Sequence, residues 1–241
     1  MRSFANYLTE IDVSPNKGAK YGQVIFLVGG AASGKSTATK KFINTANYKI
    51  LNPDDVKDLI VKAGKKDIPF FSSMKDIDPD SPKGSQQVHA FMRSTKVSSK
   101  KSRTMMRAMQ KGKETLPNLL FDRTFAFSGE FKKISRGLIK AGYKAENIHV
   151  VFVFTDINIA LKRNRERTRT LPDDIIVSTA QGAKARFVEL FFGKAKGAVA
   201  NGDWHIIIDR GKEAIQVKEA GKRVDRAGEV AKKVASLLGK R

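Results

Sequence analysis

The stretch FLVGGAASGKSTATKKF, residues 26–42, decides the reading of this chain. An apolar run stops at Gly29-Gly30, and Gly34-Lys35-Ser36 follows four residues later. That spacing, Gly29-x4-Gly34-Lys35-Ser36, is the pattern of a loop that wraps a polyphosphate. In such a loop the amides of Gly29, Gly30, Ala31, Ala32, Ser33 and Gly34 turn inward on the phosphates. Lys35 reaches the β- and γ-phosphates, Ser36 ligates Mg²⁺, and Thr37 follows at the start of a helix. Glycine permits the tight turn and keeps Cβ atoms out of the ligand's path. The flanks suit the motif: QVIFLVG reads as a buried strand, and SGKSTATKKFINTA has helical spacing at Thr37, Phe42 and Ile43. Without those flanks the pattern would be only a glycine-rich turn.

The chain has 241 residues, 41% of them hydrophobic, enough for the core of one α/β domain with a decoration. No apolar run reaches the roughly 18 residues of a membrane helix. With no cysteine there is neither a disulfide framework nor a thiolate metal site. The N-terminal MRSFANYLTE lacks a secretory apolar core, and the expected location is the cytoplasm of a host cell. Charge is the unusual feature: 46 Lys plus Arg against 24 acids, a net of +22. Such a balance favours nucleic acid or another polyanion as partner, the alternative being a merely basic, well-solvated surface.

YKILN reads as a second strand, and DDVKDLIVKAG as a helix capped by Asn52 or Asp54. Residues 65–85 carry the composition of a loop. Asp76, Asp78 and Asp80 alternate there like the start of a calcium loop, but Ser81 and Gln87 stand where that loop needs glycine and glutamate, so a turn cluster is expected. Residues 85–111 read as a helix or broken helical pair with Val88, Phe91, Met92, Met105, Met106 and Met109 as apolar positions. No acid occurs between Ser81 and Lys113, and eight basic residues fall between Arg93 and Lys113. Strands follow at NLLFDRT, NIHVVFVFT and DWHIIIDR, with helices between them and a last helix over 225–239. The alternation predicts a three-layer α/β fold on a mostly parallel five-stranded sheet. Ligands of such sheets bind at the carboxyl ends of the strands, where Lys35, Asp54, Asp122 and Asp156 fall.

Phosphoryl transfer needs a group to position or deprotonate the acceptor hydroxyl and cations over the moving phosphoryl group. Asn52-Pro53-Asp54-Asp55 supplies carboxylates just past the second strand. LKRNRERTRTLP supplies Arg163, Arg165, Arg167 and Arg169, with Arg163 and Arg167 four apart on one helical face. At these residues the chain resembles the phage polynucleotide 5′-kinases and their relatives, the zeta-toxin-like kinases. Three blocks match in order: GGAASGKST, NPDDVK and LKRNRERTRTLP. The resemblance covers about residues 22–190 and implies a P-loop NTPase (kinase) fold, ATP and Mg²⁺, a basic helical insertion over about 64–117 and a lid over about 160–175. It implies Asp54 as general base, Asp55 and Lys57 on the substrate side, and Arg167, with Arg163, at the phosphates. Asp122, ending the strand of FDRT, is implied beside Lys35 and the metal. Lys57 stands where the family has an arginine, and lysine does not replace a bidentate phosphate contact.

The favoured acceptor is the 5′-hydroxyl of a nucleic acid; a nucleotide sugar, as in the zeta toxins, or a small nucleotide is the alternative. A third reading is a basic nucleic-acid-binding phage internal protein that keeps the fold without the activity. Residues 1–21 are expected to be an extension and 22–241 the kinase domain. MRSFANYLTE also resembles capsid-targeting leaders of tailed phages, with Leu8-Thr9-Glu10 as the cleavage triplet, which would place the protein in a virion. His89, His149 and His205 are given no role, and Trp204 is expected in the core.

Overall fold

The computed structural model describes residues 21–66, 68–79, 81–95, 116–126, 129–167, 170–192, 197–209 and 213–223. The side chains of a few helix and strand residues, Asp54 and Asp55 among them, are outside that description. So are the 1–20 segment with its Leu8-Thr9-Glu10 triplet, Asp80, the basic stretch beyond Thr95, Arg169 and the 225–239 helix.

The sheet is built on β1 (Val24–Val28), buried at every position because both of its faces are covered. Alternate residues part company: Val24, Phe26 and Val28 join one core, while Ile25 and Leu27 join the other. The same parity runs through β3 (Asn118–Arg123) and β4 (Ile148–Phe154). This two-sided burial is the reason these strands read as unbroken apolar runs. With β2 (Tyr48–Leu51), β5 (Trp204–Ile208), β6 (Glu213–Glu219) and β7 (Lys222–Arg223), the sheet has seven strands in the order β2-β3-β1-β4-β5-β6-β7. The first five are parallel and are the five expected from sequence. The two added strands are antiparallel, correcting the count of five. They turn at Ala220 and Gly221, both at positive φ, as a two-residue hairpin connection requires.

Helix α1 (Lys35–Phe42) covers one face, placing Ala38 and Phe42 on Ile25, Leu27 and Val153. On the other face lie α4 (Glu130–Lys140) and α6 (Asp173–Phe191), with α5 (Ile157–Arg165) between β4 and α6. Phe131 of α4 packs at 4.4 Å, tilted, on Phe26, which also meets Phe121 and Phe125. Trp204 is in this core as expected. Between β2 and β3, α2 (Pro53–Lys65), a 3₁₀ helix (Pro69–Met74) and α3 (Pro82–Thr95) enclose a small core of Ile60, Val61, Met74, Val88 and Met92. Gly64 permits the approach, since a Cβ there would lie 2.8 Å from the carbonyl carbon of Met74. None of the described helices is long and apolar enough to cross a membrane.

His149 and His205 are buried on β4 and β5, at the sheet edge opposite the phosphate loop. The amide of Asp203 donates to His149 Nδ1 at 2.8 Å, so the proton sits on Nε2 and is shared with Gln23 Oε1 at 2.9 Å. Among the described residues, the Nδ1 atom of His205 has no hydrogen-bond partner. Burial lowers both imidazoles from 6.5 to about 4. Groups held neutral this way stabilise the fold fully above pH 6.5, and that stability is lost as pH falls through about 4. The melting temperature should therefore drop steadily across this window, and His205→Leu should flatten the drop when melts are followed by circular dichroism. An equally steep drop in the variant would remove His205 from the explanation.

Candidate active site

Strand β1 ends at Val28, opposite Phe152 of β4 and Arg123 of β3, and the chain enters the loop at the point where the strand order changes sides. The loop is tight. Ser33 N–H donates to Gly30 O at 3.3 Å, Ala32 has φ 58°, and Gly34, the N-cap of α1, has φ 98°. No side chain caps α1 and no acid lies in its first turn, so its first N–H groups and its dipole remain for an anion. Lys35 Nζ donates to the carbonyls of Gly29 and Gly30 at 3.0 and 3.1 Å, folded back across the loop. Ser36 is exposed at the mouth and Thr37 half-buried.

The glycines have a second purpose. A Cβ on Gly29 would stand 2.7 Å from the carbonyl oxygen of Val153, and one on Gly30 would stand 2.8 Å from Ala180 Cα. Their bare backbone therefore packs against β4 and α6, whereas the sequence motif alone points to the ligand side. Helix α6 adds a hydrogen bond: Ala31 N–H donates to Thr179 Oγ1 at 3.1 Å. Thr179 spends its own proton on Ile175 O at 2.7 Å, which leaves the oxygen's lone pair to accept. Behind the loop, Thr155 Oγ1 donates to Ser33 O at 2.7 Å. Ala32 packs with Ala160 of α5 and Ile176 of α6.

The lid differs from the expected single helix. Helix α5 ends at Arg165, so Arg167 lies beyond it and does not share a helical face with Arg163. The stop is made by Asn164, 1% exposed, whose side chain donates to Leu171 O at 2.6 Å and accepts from Leu171 N–H at 3.0 Å. These two bonds hold Leu171 against the end of α5. Arg163 is paired with Asp209 and donates to Thr155 Oγ1 at 3.3 Å, which ties β4, α5 and the end of β5 to the loop's rear. Arg165 pairs with Asp173 at 2.8 Å. Arg167 is exposed.

Asp122 lies in register with Leu27 and receives Asn52 Nδ2 at 3.4 Å. Helix α2 begins at Pro53, a residue suited to the first helical position, which puts Asp54 and Asp55 inside its first turn and leaves Asn52 just before it. Lys57, placed by the resemblance on the substrate side, is 6% exposed. Asp156 caps α5, accepting from Asn158 N–H at 2.8 Å, and is accounted for by that. Thr155, Asn164, Thr179, Ala180 and Asp209 were not legible as site residues. Thr179 meets Ala31 across 148 positions of chain, with no local pattern to announce it.

A glycine loop at the switch point of a parallel sheet, feeding an uncapped helix and closed by an arginine-bearing lid, defines a P-loop phosphotransferase. The family model described as Zeta toxin matches residues 6–190, more than half of the chain, and the chain belongs to that family. It is thus a P-loop kinase that carries out ATP-dependent phosphoryl transfer. None of the curated proteins matches it in sequence. Among solved structures, a chain of the AvrRxo1-ORF1:AvrRxo1-ORF2 complex with sulphate ions is similar at TM-score 0.56 and 16% identity, over 95% of this chain and 67% of that one. The complex solved with ATP is similar at TM-score 0.53 and 16% identity over the same shares. A structure from the PezAT chromosomal toxin–antitoxin system of Streptococcus pneumoniae reaches TM-score 0.49 at 16% identity, over 98% of this chain and 96% of that chain. The AvrRxo1 likenesses show the fold.

Asn164→Ala should release Leu171 from the end of α5. Two buried hydrogen bonds to backbone are lost, at a cost of about 1–3 kcal/mol, and kcat should fall because Arg167 is no longer held. Asn164→Asp keeps the acceptor for Leu171 N–H and should recover part of both losses in thermal melts and steady-state rates.

Proposed function

We propose that the protein transfers the γ-phosphate of ATP, with Mg²⁺, to the 5′-hydroxyl of a nucleic acid. The observation that carries the donor half is the seated loop, with Lys35 over it and α1 uncapped behind it. The net charge of +22 supports the polyanionic acceptor. Ser36 and Asp122 fit the metal: Mg²⁺ is held by one or two protein oxygens with the phosphates and water completing its shell. In keeping with that, the described residues contain no group of three His, Cys, Asp or Glu that would hold a metal alone. When bound, the metal neutralises the charge that builds on the phosphates.

In this reading Lys35 swings from the Gly29 and Gly30 carbonyls to the β- and γ-phosphates. The Asp54 carboxylate takes the proton of the acceptor hydroxyl as its oxygen forms a bond to the γ-phosphorus. The bond from that phosphorus to the β–γ bridging oxygen breaks, and ADP leaves. Arg167 stabilises the charge on the moving group, held in place through Asn164 and Leu171. Arg163, already engaged by Asp209 and Thr155, supports the loop from behind in addition to any contact with nucleotide.

A second reading rests on the family match: the acceptor hydroxyl belongs to a nucleotide sugar. Labelled ATP offered with 5′-hydroxyl oligonucleotides, nucleosides and UDP-sugars separates the two. Label on the oligonucleotide is expected; label confined to the UDP-sugar selects the second reading. Lys35→Ala should abolish transfer to every acceptor. Asp54→Asn should lower it about 10²–10⁴-fold with an almost unchanged melting temperature, and an active Asp54→Asn enzyme would move the base to Asp55.

A further inference from the structure

We propose that the outer face of α4 is a docking strip for the phosphate backbone of a nucleic acid, running away from the active-site edge of the sheet. The helix is divided. Phe131, Ile134, Ser135 and Leu138 are buried, and Phe131 packs on Phe26 of β1, the strand that leads into the phosphate loop, while Ile139 is exposed on the outer side. On the opposite side Lys132, Lys133, Arg136 and Lys140 are all exposed. At 100° per residue these four fall within an arc of about 100°, in a row about 12 Å long. That length matches the axial extent of roughly three to four phosphates on one strand.

Among the described residues, nothing accounts for three members of the row, Lys132, Lys133 and Arg136. Glu130 is the only acid between Gly129 and Lys144, and its carboxylate is taken by Arg123 at 2.7 Å. Among the described residues no carboxylate pairs with Lys132, Lys133 or Arg136. Like charges at i,i+3 and i,i+4 weaken a helix, so Lys133–Arg136, Lys132–Arg136 and Arg136–Lys140 oppose folding. Gly197 lies against the same face: a Cβ there would lie 3.1 Å from Lys132 Cε and 3.8 Å from Arg136 Cζ. The strip is also aimed. Its first turn is bonded through Glu130 to Arg123, the neighbour of Asp122, so one end of a bound strand lies at the edge where the phosphate loop opens. The strip deepens the nucleic-acid reading of the acceptor, on which its functional meaning rests, but binding to it requires no transfer.

The test is fluorescence anisotropy, without ATP, of a labelled oligodeoxynucleotide of about 20 nucleotides, single-stranded and duplex, titrated with the full-length protein over a range of salt. Each phosphate contact contributes about 0.7 to the slope of log K against log salt on a single strand and about 0.9 on a duplex. The variant Lys132→Gln/Lys133→Gln/Arg136→Gln/Lys140→Gln should flatten the slope by about 3 units. Lys40→Gln/Lys41→Gln/Lys65→Gln/Lys66→Gln, which removes the same charge elsewhere, should leave it nearly unchanged. Replacing Lys132, Lys133 and Lys140 by arginine should keep the wild-type slope, which separates lost contacts from a damaged helix. The proposal is overturned if the wild type does not bind, if the α4 variant keeps its slope, if the control flattens it equally, or if polyglutamate competes as well as the oligonucleotide, which would make the partner an acidic protein. Transfer to a nucleoside should survive in the α4 variant. Its loss from the wild type as well would fault the kinase reading and leave the binding result standing.

Discussion

Everything at this site depends on how closely the phosphate loop can sit on the elements around it. Gly29 lies against the backbone of β4 and Gly30 against the backbone of α6, each at a distance no side chain could share. Once seated, the loop is bonded on two sides, by Thr155 to the carbonyl of Ser33 and by Thr179 to the amide of Ala31. A loop that must present several amides to one ligand has little enthalpy of its own to stay in that shape. The contacts from β4 and α6 supply the pre-organisation, so less ordering is left for the ligand to impose.

The same contacts bring the two halves of the chemistry together. Helix α6 touches the loop at Thr179 and Ala180 and carries, about one turn earlier, Ile176 against Ala32 and Ala160. Its start is joined to the arginine loop by Arg165–Asp173 and by the Asn164 bonds to Leu171. Loop, lid and α6 therefore form a short connected path, along which a displacement of the lid would be felt at Ala31. The cations of the lid divide their duties accordingly. Arg163 and Arg165 hold structure through Asp209 and Asp173, whereas Arg167, the residue proposed to reach the phosphates, is exposed.

Much of this was legible in the chain. The five parallel strands announced themselves because two-sided burial leaves no polar position in β1 and only His149 in β4, and the loop announced itself by its spacing. The hairpin of β6 and β7 was hidden because its strands are polar-rich: Glu213, Gln216, Lys218 and Glu219 interrupt the apolar positions, and only Ala214 and Val217 are buried. The break in the lid was hidden for another reason. Residues 157–167 keep helical composition throughout, and the helix ends only because a buried asparagine prefers the backbone of Leu171, a tertiary choice. The burial of Lys57 was not legible, because a lysine in an acidic, polar segment gives no sign that it points inward. The basic row on α4 was not legible either, because it takes shape only once the helix is wound and its inner face assigned; the run after Arg93 lies almost wholly outside the described residues.

The most direct measurement of the central claim is ATP binding by calorimetry in the wild type and in Gly30→Ala. The added methyl meets backbone atoms of Ala180, which have nowhere to retreat, so the loop must leave its seat. Binding should fall by at least an order of magnitude while the circular dichroism spectrum stays that of the folded protein. A folded Gly30→Ala protein that binds ATP with the affinity of the wild type would contradict the account, because the loop would then owe its shape to nothing α6 provides.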